Sequence, residues 1–464
     1  MYDQVKSCVF MNGHTSDFFG SLRGVRQGEN LSPLLFSLYL SDLETFLSER
    51  DCMPLNVKLS NDEIELKSLL KLFVLLYADD TSLMSDSSNG LQKALDSLAL
   101  YCRKWKLEVN VEKTKVMIFH RRKQTHVFKF NGLALDVVDS FRYLGVEFSR
   151  TGNFAKGKKY SFDKGQRALF SLLQTARRKS LPTDVLLDLY KKMVIPVMLY
   201  GCEVWGHENI GILEKLHLKS LKYILHLNRS TMSSQVFGES GCFPIVLDIK
   251  VRMIGFWADI VHSSSEKITN KMYKIVYNLY CSGEFMSTWI SSIKQILENS
   301  GLEFVWETHR FSSKASLCNL VRESLKAQLA AQWREQLDNS PKCLFYKNFK
   351  LRIEREPFLR HLPERFVISL VKFRCSNHKL PIEQGRKFGI PREERLCRKC
   401  DMDVVGDEFH LIMECPAYRE QRLQYIPQRF RKIKTTYNFC RLVGCKTRAV
   451  TVKLAKFLIA SKAV

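Results

Sequence analysis

The sequence predicts an α+β protein, with short strand hairpins and one long helix in its first 150 or so residues and mainly helices beyond. Three observations predict this. Apolar runs at Leu72 to Leu76 and at Leu83-Met84 flank Tyr77-Ala78-Asp79-Asp80, which is the pattern of a strand, a turn and a second strand. Leu91, Ala94, Leu95, Leu98, Cys102 and Trp105 then recur at helical spacing, one apolar face of an amphipathic helix. From Gly165 onward helical spacing dominates, with Leu169, Leu172 and Leu173 on one face and further runs at Leu213 to Leu225 and Leu317 to Leu337.

A chain of 464 residues is long enough for about three domains. Hydrophobic residues make up 45%, ample for packed cores. The net charge is +24 and the excess is spread along the chain, with clusters at Arg121-Arg122-Lys123, Lys156 to Lys159, Arg177-Arg178-Lys179 and Arg429 to Lys434. A polyanion partner explains such a balance; solvated basic faces are the plainer alternative. Fourteen scattered cysteines do not describe a small disulfide-stapled secreted domain. They suggest reduced thiols and an intracellular protein. No basic, apolar leader opens the chain, and no apolar run reaches the ~18 residues a spanning helix needs, so no membrane role is expected.

In chain order, Asn12-Gly13 after Val9-Phe10-Met11 signals a hairpin. In Gly24-Val25-Arg26-Gln27-Gly28-Glu29-Asn30-Leu31-Ser32-Pro33 the glycines let backbone pass close to a ligand. Ser32 suits a helix N-cap with Pro33 first in the helix, and Leu34 to Leu47 fits a mostly buried helix. Residues 50–70 form a polar insertion. At Asp79-Asp80 two neighbouring acids sit between apolar runs. Burying one ionised carboxylate costs several kcal/mol, and two also repel. A hard divalent cation such as Mg²⁺ or Mn²⁺ answers both costs and takes substrate phosphates as further ligands. An isolated Asp-Asp pair is otherwise an ordinary surface turn. Lys113-Thr114-Lys115 leads into a strand at Val116 to Phe119, and Phe128 to Gly132 and Ser140 to Val146 also fit strands. Trp257, Trp289, Trp306 and Trp333 are taken as core residues.

Near the C-terminus, Cys397, Cys400, His410 and Cys415 have the spacing C-x2-C-x9-H-x4-C. Three thiolates and an imidazole complete a tetrahedral structural Zn²⁺ site with no open position. Such an ion would fold a segment too polar to build its own core. Lys387, Arg392, Arg395, Arg398 and Lys399 surround it in sequence, which suggests contact with nucleic acid.

The order of these motifs resembles one family. Tyr77-Ala78-Asp79-Asp80 looks like the catalytic box of reverse transcriptases, and Gly24 to Pro33 like the segment just before it. Leu107-Glu108-Val109-Asn110 with Lys113-Thr114-Lys115, then Phe141-Arg142-Tyr143-Leu144-Gly145, complete the series. The set is similar to the reverse transcriptases of non-LTR (LINE-type) retrotransposons. The resemblance implies a polymerase palm in which Asp79 and Asp80 hold magnesium and Lys113 lies near the triphosphate. It further implies that Arg26, Gln27, Gly28, Tyr77 and Ala78 bind nucleotide and template, and that Tyr143, Leu144 and Gly145 grip the primer end. Implied partners are an RNA template, a DNA primer or target, and deoxynucleoside triphosphates, in nucleus and cytoplasm. The cysteine spacing resembles the CCHC segment of the same proteins. The implied division is a partial palm at 1–125, a primer-grip hairpin and helical thumb at 126–235, a helical connector at 236–390 and a zinc module at 391–464.

One expected part is not visible. The family holds two metal ions with three carboxylates, and the third belongs to a strand upstream of the glycine-bearing motif. Residues 1–23 offer Asp3 and Asp17, neither in an apolar strand. The expectation is therefore a C-terminal portion without fingers, first motif or endonuclease, with little polymerase activity on its own. The alternative is a non-catalytic, basic, zinc-stabilised nucleic-acid-binding protein derived from it.

Overall fold

The computed structural model describes residues 6–20, 29–52, 55–57, 70–72, 74–77 and 80–464. The chain forms two compact units. The first comprises Met1–Phe141, Ser149–Gly152 and Ser265–Phe285; the second comprises Arg142–Phe148, Asn153–Ser264 and Met286–Val464.

In the first unit the strands are short and paired locally. Phe10–Met11 pairs with His14–Thr15 around Asn12-Gly13, whose φ angles of 51° and 84° are the left-handed pair a tight hairpin requires. Val74–Tyr77 pairs antiparallel with Asp80–Leu83, with Tyr77 opposite Asp80. The expected single helix over 34–47 is instead two, Ser32–Tyr39 and Leu43–Ser48. Ser32 lies inside the first, with Leu31 at its N-cap, and Leu34, Leu38 and Tyr39 are exposed, so that helix is not mostly buried. Burial concentrates in the second, at Leu43, Phe46 and Leu47.

The helix Ser88–Lys104 organises this unit. Ser87 caps it, its hydroxyl accepting from the Gly90 N–H at 3.0 Å. Ala94 and Tyr101 pack into one cluster with Leu40, Leu43, Phe46, Leu47 and Cys52. Leu95 and Ala99 pack into a second with Val116, Phe128, Phe130 and Leu135. The helix therefore has apolar neighbours on two sides, more than a single amphipathic stripe supplies. Phe128–Phe130 and Leu133–Val137 form a hairpin about Asn131-Gly132, and Leu133–Val137 also pairs parallel with Lys115–Val116.

The second unit is mainly helical. Its longest elements are the 25-residue helices Ala155–Lys179 and Lys314–Asp338. Trp205 and Trp257 are fully buried, Trp306 and Trp333 nearly so. A charged cluster sits inside. The Arg374 guanidinium donates to both carboxylate oxygens of Glu239 at 3.0 Å and to the Val443 carbonyl at 2.7 Å, and it meets Glu356 at 3.0 Å. Lys350 pairs with Glu356, and Tyr346 donates to Glu239 at 3.0 Å. Burial opposes the charge on Glu356, but Arg374 and Lys350 outweigh it and hold the carboxyl below the usual range. All fourteen cysteines are free thiols. Among the described residues no helix is long and apolar enough to cross a membrane.

Candidate active site and metal centre

Asp80 opens the strand Asp80–Leu83, and Leu83 anchors that strand in the cluster that also buries Val116. The Lys113-bearing loop enters its strand beside the same core. Tyr77 and Asp80 face each other across the hairpin, and both are exposed. The expectation of buried carboxylates is therefore corrected for Asp80. Its strand is two-sided and only half covered, so water solvates the charge and no ion is demanded by burial. No ion pair to Asp80 exists among the described residues, which leaves the carboxylate available to a cation. Arg26, Gln27, Gly28, Ala78 and Asp79 lie outside the described residues.

The two lysines of the Lys-Thr-Lys segment differ. Lys115 is paired with Asp136 at 2.5 Å. Lys113 is exposed; its backbone N–H donates to Asn110 Oδ1 at 3.0 Å, and its ammonium has no ion pair among the described residues. The local turn thus presents one lysine to solvent and commits the other to the sheet.

The segment Tyr143-Leu144-Gly145 forms the turn between the strands Ser140–Tyr143 and Val146–Ser149. Leu144 and Gly145 both have positive φ, 48° and 81°. A leucine there costs on the order of 1 kcal/mol. In the second unit Arg142 stacks on the Tyr160 ring at 3.7 Å and approaches Glu147 at 3.6 Å. The helix Ala155–Lys179 begins just after; Lys158 is buried against Glu208 at 2.6 Å, while Lys159, Arg167, Arg178 and Lys179 remain exposed. The basic cluster at 156–159 is therefore partly structural.

The cysteine motif does converge. The ligand atoms of Cys397, Cys400, His410 and Cys415 all lie within 4.8 Å of one another. Cys397 Sγ and Cys415 Sγ are 3.9 Å apart, and Cys400 Sγ is 3.3 Å from His410 Nε2. A tetrahedral ion with bonds of ~2.3 Å to sulfur holds its sulfurs roughly 3.8 Å apart, so the set fits a metal ion. Burial pushes the Cys415 thiol up to about 12, and the neighbouring Cys397 and Cys400 act in the same direction. A cation reverses that balance.

Residues that sequence reasoning missed brace this group. His410 Nδ1 faces Glu414 at 3.5 Å, which leaves Nε2 toward the thiols. The His410 N–H donates to Asp407, whose other oxygen meets Arg392 at 3.1 Å. Arg422, itself buried, donates to the carbonyls of Ile412 and Cys415. Arg395 donates to the carbonyls of Ile390 and Ile382. Arg392 and Arg395 are therefore scaffold, whereas Lys387, Arg398 and Lys399 are exposed. The segment is also not too polar for a core: Leu411, Ile412 and Met413 are buried.

The hairpin with Asp80, the exposed Lys113 and the turn at Leu144-Gly145 all fall within one stretch of sequence that matches a known class. Residues 1–148 match the family described as "Reverse transcriptase (RNA-dependent DNA polymerase)". The first 148 of 464 residues are thus reverse transcriptase sequence. The relatives make the class narrower. The chain is 28% identical over 193 residues to a "Probable RNA-directed DNA polymerase from transposon BS" of Drosophila melanogaster, covering 39% of this chain and 20% of that protein. It is 26% identical over 226 residues to the "RNA-directed DNA polymerase from mobile element jockey" of the same species, covering 47% and 22%. Similarity to a "Retrovirus-related Pol polyprotein from type-1 retrotransposable element R2" of Popillia japonica runs over 442 residues at 27% identity, 90% of this chain and 62% of that protein. The chain is thus similar to polymerase proteins of transposable elements. The matched segments span about a fifth of the first two relatives.

Proposed function

We propose that the chain acts in RNA-directed DNA synthesis, as the polymerase region of a non-LTR retrotransposon protein. The observation that carries this reading is the match of residues 1–148, which contain the hairpin with Asp80 opposite Tyr77. Asp79 and Asp80 would hold Mg²⁺ or Mn²⁺. When bound, such ions activate a primer 3′-hydroxyl and neutralise the triphosphate. Lys113, whose ammonium has no ion pair among the described residues, would place positive charge at the leaving pyrophosphate or donate a proton to it. Arg26, Gln27 and Gly28 would lie along the incoming nucleotide and template base, beside Tyr77 and Ala78. Tyr143, Leu144 and Gly145 would hold the primer end. The exposed cations of the helix Ala155–Lys179, which is ~37 Å long, would follow duplex phosphates and position them without reading sequence.

Zn²⁺ would occupy the Cys397, Cys400, His410 and Cys415 site, as a structural ion that closes the loop 397–415. Arg398 and Lys399 beside it would meet phosphates. RNA template, DNA primer or target, and deoxynucleoside triphosphates are the partners this reading implies, and it requires access to the nucleus.

The test uses the 464-residue chain with an RNA template and a recessed DNA primer. The expected result is a Mg²⁺-dependent complex that retains the templated nucleotide and is lost in Asp79→Asn and Asp80→Asn. Nucleotide retention indifferent to Mg²⁺ and to both substitutions would overturn the reading.

A further inference from the structure

The turn at Leu144-Gly145 has two companions among the described residues. Asn12-Gly13 and Asn131-Gly132 adopt the same left-handed pair, with φ of 51° and 84°, and 50° and 82°. Asparagine suits the first position because its short polar side chain bonds locally; leucine has no such device. Leu144 is also 38% exposed, so burial does not hold it in place. Something outside the turn must.

That contact comes from Tyr200. Its hydroxyl donates to the Leu144 carbonyl at 2.9 Å. A Cβ added to Gly145 would lie 2.8 Å from Tyr200 Cε1, so the ring lies directly against the glycine backbone. Tyr200 is 56% exposed, which means that burial is not what it gains there. Its own backbone is fixed, since the buried Trp205 donates its indole N–H to the Tyr200 carbonyl at 3.2 Å. The next residue closes the joint: Gly201 has φ of 71°, and a Cβ there would lie 2.8 Å from Val146 Cγ2.

We propose that Tyr200 is a positioning residue for the primer end. It holds the strained Tyr143-Leu144-Gly145 turn in the one conformation that presents Tyr143 and the Gly145 backbone to a primer sugar. Tyr200 acts through the Leu144 carbonyl and does not itself touch reacting atoms. The proposal rests on the reading of that turn as the primer grip.

The test uses the full chain and two fluorescent RNA–DNA hybrids of equal length, one with a recessed DNA 3′ end and one blunt. The wild type is expected to prefer the recessed end. Tyr200→Phe, which removes one hydroxyl and keeps the ring, is expected to lower that preference about three- to tenfold. It should leave affinity for the blunt hybrid and the unfolding midpoint unchanged. Amide exchange at Gly145 and Val146 is expected to speed up by a similar factor. In a second arm, Gly145→Ala is expected to cost more beside Tyr200 than in a Tyr200→Ala background, because the ring is what the new Cβ meets.

Unchanged exchange in Tyr200→Phe would overturn the bracing contact itself. Faster exchange with an intact end preference would overturn positioning while leaving the primer-grip reading in place. A wild type with no preference for the recessed end would overturn that reading, and this proposal with it.

Discussion

Asp80 stands exposed at the end of a two-stranded hairpin, whereas Arg374 is buried among two carboxylates and a backbone carbonyl. Both are charged groups on regular structure, yet folding uses them oppositely. The Asp80 carboxylate is exposed and has no ion pair among the described residues, so it is open to a ligand. The Arg374 charge has given up water for protein partners, and those partners now depend on it. A charge kept for chemistry and a charge consumed by architecture can therefore be told apart by what each has already bonded.

The sharpest way to break this comparison is at Arg374. Arg374→Met leaves Glu239 and Glu356 buried without their guanidinium, and the expected loss is about 3–5 kcal/mol in urea unfolding. A loss below about 1 kcal/mol would mean that water reaches the cluster. Asp80→Asn should do the reverse. It is expected to lower Mg²⁺-dependent nucleotide retention about 100-fold while the unfolding free energy stays within about 0.5 kcal/mol of wild type. A destabilised Asp80→Asn protein would place that carboxylate in the architecture after all.

The candidate metal site lies between these cases, since its four side chains are partly buried but contact one another. Glu414→Gln, which weakens the group facing His410 Nδ1, is expected to lower zinc affinity about tenfold, read by competition with a chromophoric chelator. Stripping the metal should speed amide exchange from Leu396 to Cys415. It should leave Phe439, Leu454 and Phe457 protected, because these are buried in the surrounding helices. Collapse of protection at all three would show that the ion holds more than its own loop.

How much of this was legible in the sequence follows the range of the forces involved. The hairpins at Asn12-Gly13 and Tyr77 to Asp80, the helix after Ser87 and the four converging ligands are encoded by neighbours in sequence, and they read out directly. The break at Leu40–Asp42 was missed because local propensity favours one helix there, while packing against Ala94 and Tyr101 selects two. The exposure of Asp80 was missed for a related reason: apolar flanks suggest burial, but they cannot say how many sides of a strand are covered. Tyr200, Glu239 and Arg374 carried no signal, since each acquires its role from a partner dozens of residues away or more. A leucine before glycine at a hairpin turn was the one available clue to Tyr200.

The smallest expected effect is the most diagnostic of buried polar groups. Glu214 and His217 lie three residues apart on the helix Gly211–Ile224. Burial raises the Glu214 carboxyl from 4.5 to about 7, against hydrogen bonds from the Ile245 and Val246 backbone. Burial lowers His217 from 6.5 to about 4, although the Phe243 carbonyl favours its charge. The two act on stability with opposite signs. For Glu214 the folded state holds its proton more tightly, so its contribution is complete below pH 4.5 and is lost as pH rises through 7. For His217 the folded state holds its proton less tightly, so its contribution is complete above pH 6.5 and is lost as pH falls toward 4. Between pH 4.5 and 6.5 the slopes cancel, and the wild type should be nearly flat. Glu214→Gln removes one slope. Its stability should fall by about 1 kcal/mol per pH unit as pH drops through that window, within the ~1.4 kcal/mol per pH unit that one proton allows. Urea titrations at three pH values measure it. A Glu214→Gln profile as flat as wild type would mean that His217 finds a way to keep its charge inside the helical core, and that the buried polar groups of this unit are less committed than Arg374 implies.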